Sequence, residues 1–179
     1  MTVYASKPEI NVREKLKELD FSTVPYDKMP DGSTIDQKVV RRQSDISTTT
    51  ASVWVDVLSF KFSAKRLDSR LEFFINMSTG AEANVGHIWR IYNVTDGVEL
   101  ERTGWHINGD TAADALDTRV SWYHLHDPDS LEEKQYTLQG YKNTTSGRVW
   151  FHTYGNSATS FFGVKEIKGG RGSAINSLV

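Results

Sequence analysis

Two histidines two positions apart, His124-Leu125-His126, are the sharpest chemical feature of this 179-residue sequence. In a strand, residues i and i+2 point to one face, so the pair can present two imidazoles to a metal ion. Known jelly-roll metal sites of this kind also carry a Gly six positions before the first His and a Glu four or five positions after the second. Thr118 stands at the first of these places, and Ser130 and Leu131 stand at the second, with Glu132 one position late. A second half of such a motif is matched only by His152 and Asn156. Two strand histidines near the rim of a sandwich account for the pattern more simply.

The loop that follows, Asp127-Pro128-Asp129-Ser130-Leu131-Glu132-Glu133, gathers four carboxylates and offers oxygen ligands to calcium. It lacks the Asp/Asn-Gly rhythm of a helix-loop-helix calcium site, and a solvated acidic loop explains it as well. Lys168-Gly169-Gly170-Arg171-Gly172-Ser173 is glycine-rich, but it has neither the spacing of a phosphate-binding loop nor a strand leading into a helix. No Gly-x-Ser-x-Gly elbow marks an acyl-transfer nucleophile. The residues therefore nominate no catalytic, cofactor-binding or metal-binding position, and no cofactor is expected. Trp54, Trp89, Trp105, Trp122 and Trp150 could stack on sugar rings where exposed, although a two-layer sandwich needs such side chains as core fillers.

Composition removes further classes. With no cysteine, a thiol nucleophile, a disulfide and a Cys-ligated zinc are impossible. A net charge of -2 supplies no field to draw nucleic acid or an anionic membrane. Apolar runs are only a few residues long, far short of the roughly 20 that span a bilayer. The charged opening residues 1–18 contain no apolar stretch, so no signal peptide is expected, and Asn-x-Ser/Thr at Asn76, Asn93 and Asn143 is not expected to carry glycans.

The elements that must position these residues are nearly all strands. The exception is at the start, where Ser6 and Glu9 have capping-box spacing, Pro8 suits a first turn, and Val12, Leu16 and Leu19 form a stripe at helical period. A helix this short is marginal alone, so its stripe is expected to dock, either on this domain or on another protein. Residues 20–33, with Pro25, Pro30 and the turn Met29-Pro30-Asp31-Gly32-Ser33, read as an irregular linker. Residues 37–43 read as a first strand and the hydroxyl-rich residues 44–52 as a connector.

After Ser52 the period becomes two. Val53, Val55 and Val57 share one face and Leu58, Phe60 and Phe62 continue in the opposite phase, which predicts a bulge near Val57-Leu58. Leu71, Phe73, Ile75 and Met77 alternate with Glu72, Phe74, Asn76 and Ser78. Further strands are expected over 87–93, 98–106, 119–126, 135–141, 148–154 and 160–167, with Asp96-Gly97 as a hairpin turn. Eight or nine short strands at this rhythm predict an all-β, jelly-roll-like antiparallel sandwich. The expected organisation is an attachment helix and linker over 1–36, a sandwich over 37–168, and an extended Gly-rich tail over 169–179.

The opening Lys7-Pro8-Glu9-Ile10-Asn11-Val12-Arg13-Glu14-Lys15-Leu16-Lys17-Glu18-Leu19-Asp20, followed by Val24-Pro25-Tyr26-Asp27-Lys28-Met29-Pro30-Asp31-Gly32-Ser33, resembles the start of small virion proteins of marine tailed bacteriophages. Trp89-Arg90-Ile91-Tyr92-Asn93 and Ser160-Phe161-Phe162-Gly163-Val164-Lys165-Glu166-Ile167 are similar to segments of their fibre-like domains. Asp31 replaces the commoner Ala of the turn. The resemblance implies a virion location and a structural, non-enzymatic role as tail fibre, head fibre or capsid decoration. It also implies assembly with other virion proteins as a homo-oligomer, usually a trimer. Val12, Leu16 and Leu19 are then the expected anchor. A host-surface glycan module is the alternative reading, and a metal-dependent enzyme of the cupin type, using His124 and His126, is the third.

Overall fold

The computed structural model describes residues 24–42, 44–82, 84–104, 106–107, 116–152 and 159–169. The expected helix with Val12, Leu16 and Leu19, Trp105 and the tail from residue 170 onward lie outside the described residues. Among the described residues a 3-10 turn, Tyr26–Lys28, precedes eleven strands: β1 (Thr34–Arg42), β2 (Ile46–Thr48), β3 (Trp54–Phe62), β4 (Arg70–Ala81), β5 (Gly86–Asn93), β6 (Val98–Arg102), β7 (His106–Ile107), β8 (Leu116–His126), β9 (Lys134–Lys142), β10 (Val149–His152) and β11 (Ser160–Ile167).

All pairings are antiparallel, and they form two sheets. In the first, β8 covers one edge of β4, while β11 and β10 share the other, against residues 70–76 and 80–81. Beyond them, β1 pairs with β11 and β2 with β10. In the second, β5 lies between β9 and an interrupted edge made of β6 and β7, and β3 lies beyond β9. With each interrupted pair counted as one strand, the sheets run β1/β2, β10/β11, β4, β8 and β3, β9, β5, β6/β7. That order is the winding of an eight-stranded jelly roll.

The expected alternation holds along β4 as far as Met77: Leu71, Phe73, Ile75 and Met77 are buried and Glu72, Phe74 and Asn76 are half-buried on the opposite face, whereas Ser78 is buried and its amide donates to the Ser160 hydroxyl at 3.0 Å. The bulge falls where the phase change predicts it, as the β3–β9 register shifts between Asp56 and Leu58 and both Val57 and Leu58 are buried. Inward side chains of both sheets close one core. Phe60, Phe73, Tyr136 and Phe162 pack with ring centroids 4.7–6.1 Å apart. Further along, Trp89 meets Phe151 edge-on at 5.1 Å, and the Phe151 ring lies on Gly140, where a Cβ would come within 2.4 Å of it.

Three expectations need correction. The first strand starts at Thr34, three residues before the expected position 37, so residues 34–36 belong to the sandwich rather than to the attachment segment. The hydroxyl-rich connector contains β2, because Ile46 packs on the core and β10 supplies a ladder for it. The expected strand over 98–106 is interrupted, since the Thr103 amide turns back to the Trp89 carbonyl at 2.9 Å and separates β6 from β7.

Candidate functional site: the base and the outer faces of the sandwich

The end of the sandwich where β1 begins and β11 finishes is here called the base. Residues 25–33 are strapped to it. The amide of Gly32 donates to the carbonyl of Lys168, and the Lys168 amide donates to the carbonyl of Ser33, both at 2.9 Å. The Lys168 ammonium donates to the backbone carbonyls of Asp27, at 3.3 Å, and of Met29. The Tyr26 ring receives two cations, the Arg66 guanidinium at 4.4 Å and Lys168 Nζ at 5.1 Å from its centroid. The linker expected over residues 20–33 is thus fastened from Pro25 onward. Its fastening brings the first and last described residues to the same end of the molecule.

The acidic loop also lies at the base. Lys134 is buried, and its ammonium donates to Asp96 at 2.7 Å and to Asp129. Burial works against the charged form, but the hydrogen bonds that the ammonium donates to Asp129 and Asp96 outweigh it and raise the Lys134 pKa. The same bond holds the Asp129 carboxyl below its usual range. Asp127 pairs with Arg70 at 3.2 Å and Glu133 with Lys61 at 3.2 Å. These three carboxylates therefore turn to three different cations and not toward a common centre, which is unlike a calcium loop.

His124 and His126 do share a face, with ring centroids 6.3 Å apart and both 6.4 Å from Phe73. The Glu101 carboxylate, on β6, accepts from His124 Nδ1 at 3.1 Å, which ties the edge of the second sheet to that of the first. Burial lowers both imidazole pKa values; Glu101 opposes the shift at His124, and His124 adds to it at His126. Among the described residues no group of three His, Asp or Glu side chains converges as metal ligands. The pair lies on the edge strand β8, where His124 joins Glu101 across the rim of the sandwich.

On the outer face of the second sheet the Arg90 guanidinium is stacked between Trp54 and Tyr92, at 3.9 and 4.4 Å from their centroids. It donates to Gln139 at 2.7 Å and to Glu99 at 3.1 Å, and Gln139 in turn donates to Asp56 at 2.6 Å. Hydrogen bonds from Arg102, then from Arg90, hold the Glu99 carboxyl below its usual range. Tyr141 sits against Trp54 at 5.0 Å. Trp54 is therefore occupied by Arg90 and Tyr141 and does not offer a bare platform to a sugar. Trp89 is fully buried and Trp122 packs against the core.

The outer face of the first sheet differs. Its register aligns Val39 of β1, Gly163 of β11, Phe74 of β4 and Tyr123 of β8 in one row across four strands. Tyr123 is 69% exposed and Val39 is 42% exposed, and both Phe74 and Phe161 are half-buried, with ring centroids 6.0 Å apart. A solvated face of an antiparallel sheet normally carries polar residues. This row carries aromatic and aliphatic side chains between two mostly polar rows, an apolar centre with a polar rim. Sequence reading missed this row. Its signal was present as Phe74 and Phe161 in the outward phase of their strands, but alignment with Tyr123 and Val39 exists only in the register.

No protein-family model matches the sequence, and no curated protein matches it either. Among solved structures, the VP2 subviral particle of infectious bursal disease virus is similar over 76% of this chain and 39% of its own, at 12% identity and a TM-score of 0.43. The Gx strain of the same virus gives 78% and 34%, at 13% identity and a TM-score of 0.42. Dimeric latent PorU from Porphyromonas gingivalis gives 78% and 14%, at 12% identity and a TM-score of 0.42. The chain spans about two fifths of the first of these proteins and less of the others. Among the described residues no helix is long and apolar enough to cross a membrane.

Proposed function

We propose that this chain is a non-enzymatic structural protein of a tailed-phage virion. Residues before the strap, with Val12, Leu16 and Leu19 as their apolar stripe, anchor it to other particle proteins, and the jelly roll is displayed outside as a fibre or decoration. The observation that carries this reading is the strap itself. Lys168 and Tyr26 fix residues 25–33 to the base, so a preceding segment is delivered from a defined end of a rigid body. Among the described residues the core closes between the two sheets. An amphipathic stripe needs an apolar surface to cover it, and a neighbouring particle protein would supply one. Jelly rolls occur in viral particles, lectins and enzymes alike, so the fold alone does not choose between roles. The resemblance of the opening segment to phage virion proteins supports the first.

The reading is tested by removing residues 1–23: the truncated chain should fold and fail to enter particles. Recognition of a host glycan is the second reading. It is favoured by the exposed ring of Tyr123, and a glycan-array signal abolished by Tyr123→Ala would establish it.

A further inference from the structure

We propose that two copies of this chain pack face to face through the outer side of the first sheet, about a two-fold axis that runs parallel to the strands between β11 and β4. Such an axis reverses the order of the strands and keeps each row opposite itself. It sets β1 against β8, and β11 against β4, of the second copy. The row Val39, Gly163, Phe74, Tyr123 then meets its own reverse, which lays the protruding Tyr123 on the shorter Val39. At the centre, Gly163 lets the Phe74 ring lie across β11, since a Cβ there would come within 2.5 Å of Phe74 Cζ. The two Phe74 side chains are thereby brought together at the axis.

The neighbouring row decides the occupant. It reads Gln37, Lys165, Glu72, Leu125 across the same strands, so its reverse places Lys165 opposite Glu72 of the second copy twice over. Within one chain these two groups are a loose pair, 3.9 Å apart and both partly exposed, and the Lys165 ammonium also lies 5.2 Å from the Phe74 ring centroid. The face is thus self-complementary in both shape and charge, as an isologous interface requires. The alternative in-plane axis, perpendicular to the strands, sets the charged row against Arg41, Phe161, Asn76 and Ser121 and loses the match. The chosen axis also keeps both bases pointing the same way, so both strapped segments reach one surface. In this respect the inference rests on the attachment reading, and it specifies a pair where the sequence resemblance implies trimers.

The test is the solution mass of the full chain by light scattering coupled to size exclusion, which does not depend on particle incorporation. The expected species has twice the 20.2 kDa chain mass. Tyr123→Glu, at an exposed position, should leave the circular dichroism unchanged and weaken pairing at least about tenfold. Glu72→Lys alone and Lys165→Glu alone should each weaken it by a similar factor. An equimolar mixture of these two variants should restore it, because Lys and Glu then face each other across the axis at every position. Within each chain of the mixture the Lys165–Glu72 pair remains broken, so recovery reports a contact between chains. A monomer, a trimer, or a dimer indifferent to Tyr123→Glu or not recovered in the mixture overturns the proposal.

Discussion

The carboxylate of Glu166, near the end of the last strand, accepts the hydroxyl of Ser69 at 2.6 Å, and both side chains are fully buried. The same carboxylate accepts the amides of Lys65, at 2.9 and 3.0 Å, and Arg66, at 2.9 Å. It thereby satisfies the loop between β3 and β4, which crosses the base from one sheet to the other. Glu166→Ala would leave the two part-buried amides without their acceptor and the buried Ser69 hydroxyl with the Arg66 carbonyl at 2.7 Å alone. We predict a loss of about 3 kcal/mol, measured as a shift of the urea midpoint at unchanged slope. A loss under about 1 kcal/mol would mean that the loop finds other acceptors.

Gly140 is required for a different reason, because the Phe151 ring occupies the space of its missing side chain at 2.4 Å from a built Cβ. Gly140→Ala overpacks the core between Trp89 and Phe151. The expected cost is about 1–3 kcal/mol. Gly140→Ala combined with Phe151→Leu should recover part of it, and thermal melts of both variants check this.

Arg90 holds the outer face of the second sheet through two aromatic stacks and two hydrogen bonds. Arg90→Ala should cost about 1–2 kcal/mol. Arg90→Lys should recover little of that, because an ammonium keeps the charge but not the planar stack or the fork. Equal stability of the lysine variant and the parent would show that charge alone matters there.

Stability should fall as the solution is acidified. Burial depresses the imidazole pKa values of His124, His126 and His152. The unfolded chain, with histidines near about 6.5, then takes up protons before the folded chain does, and folding weakens as pH drops through that value. Asp129 and Glu99, whose folded pKa values are also depressed, act in the same sense at lower pH, since their stabilising contribution is lost as they protonate. A series of melts from about pH 8 to about pH 5 should therefore decline, and His126→Gln should flatten the upper part of the decline. A flat or rising series contradicts this account of the rim.

The regular parts of the fold were legible in the sequence because they repeat locally. The alternation along β4, the phase change at Val57-Leu58 and the Asp96-Gly97 turn are patterns within a few residues, and each places its element. β2 was not legible, since three residues with a single aliphatic, Ile46, become a strand only when β10 offers a ladder. The strap was read as a linker because Pro25 and Pro30 break periodic structure, while the Lys168 that pins it lies about 140 positions away. The aromatic row required register between four strands, which no window of sequence contains.

The central claim is that the sandwich folds by itself and the residues before the strap hold it on the particle. The most direct measurement counts copies of the chain lacking residues 1–23 in purified particles, beside its melting temperature in solution. The account predicts that the truncated chain melts where the full chain does and is absent from particles. A truncated chain that still co-purifies with particles at full copy number would contradict it.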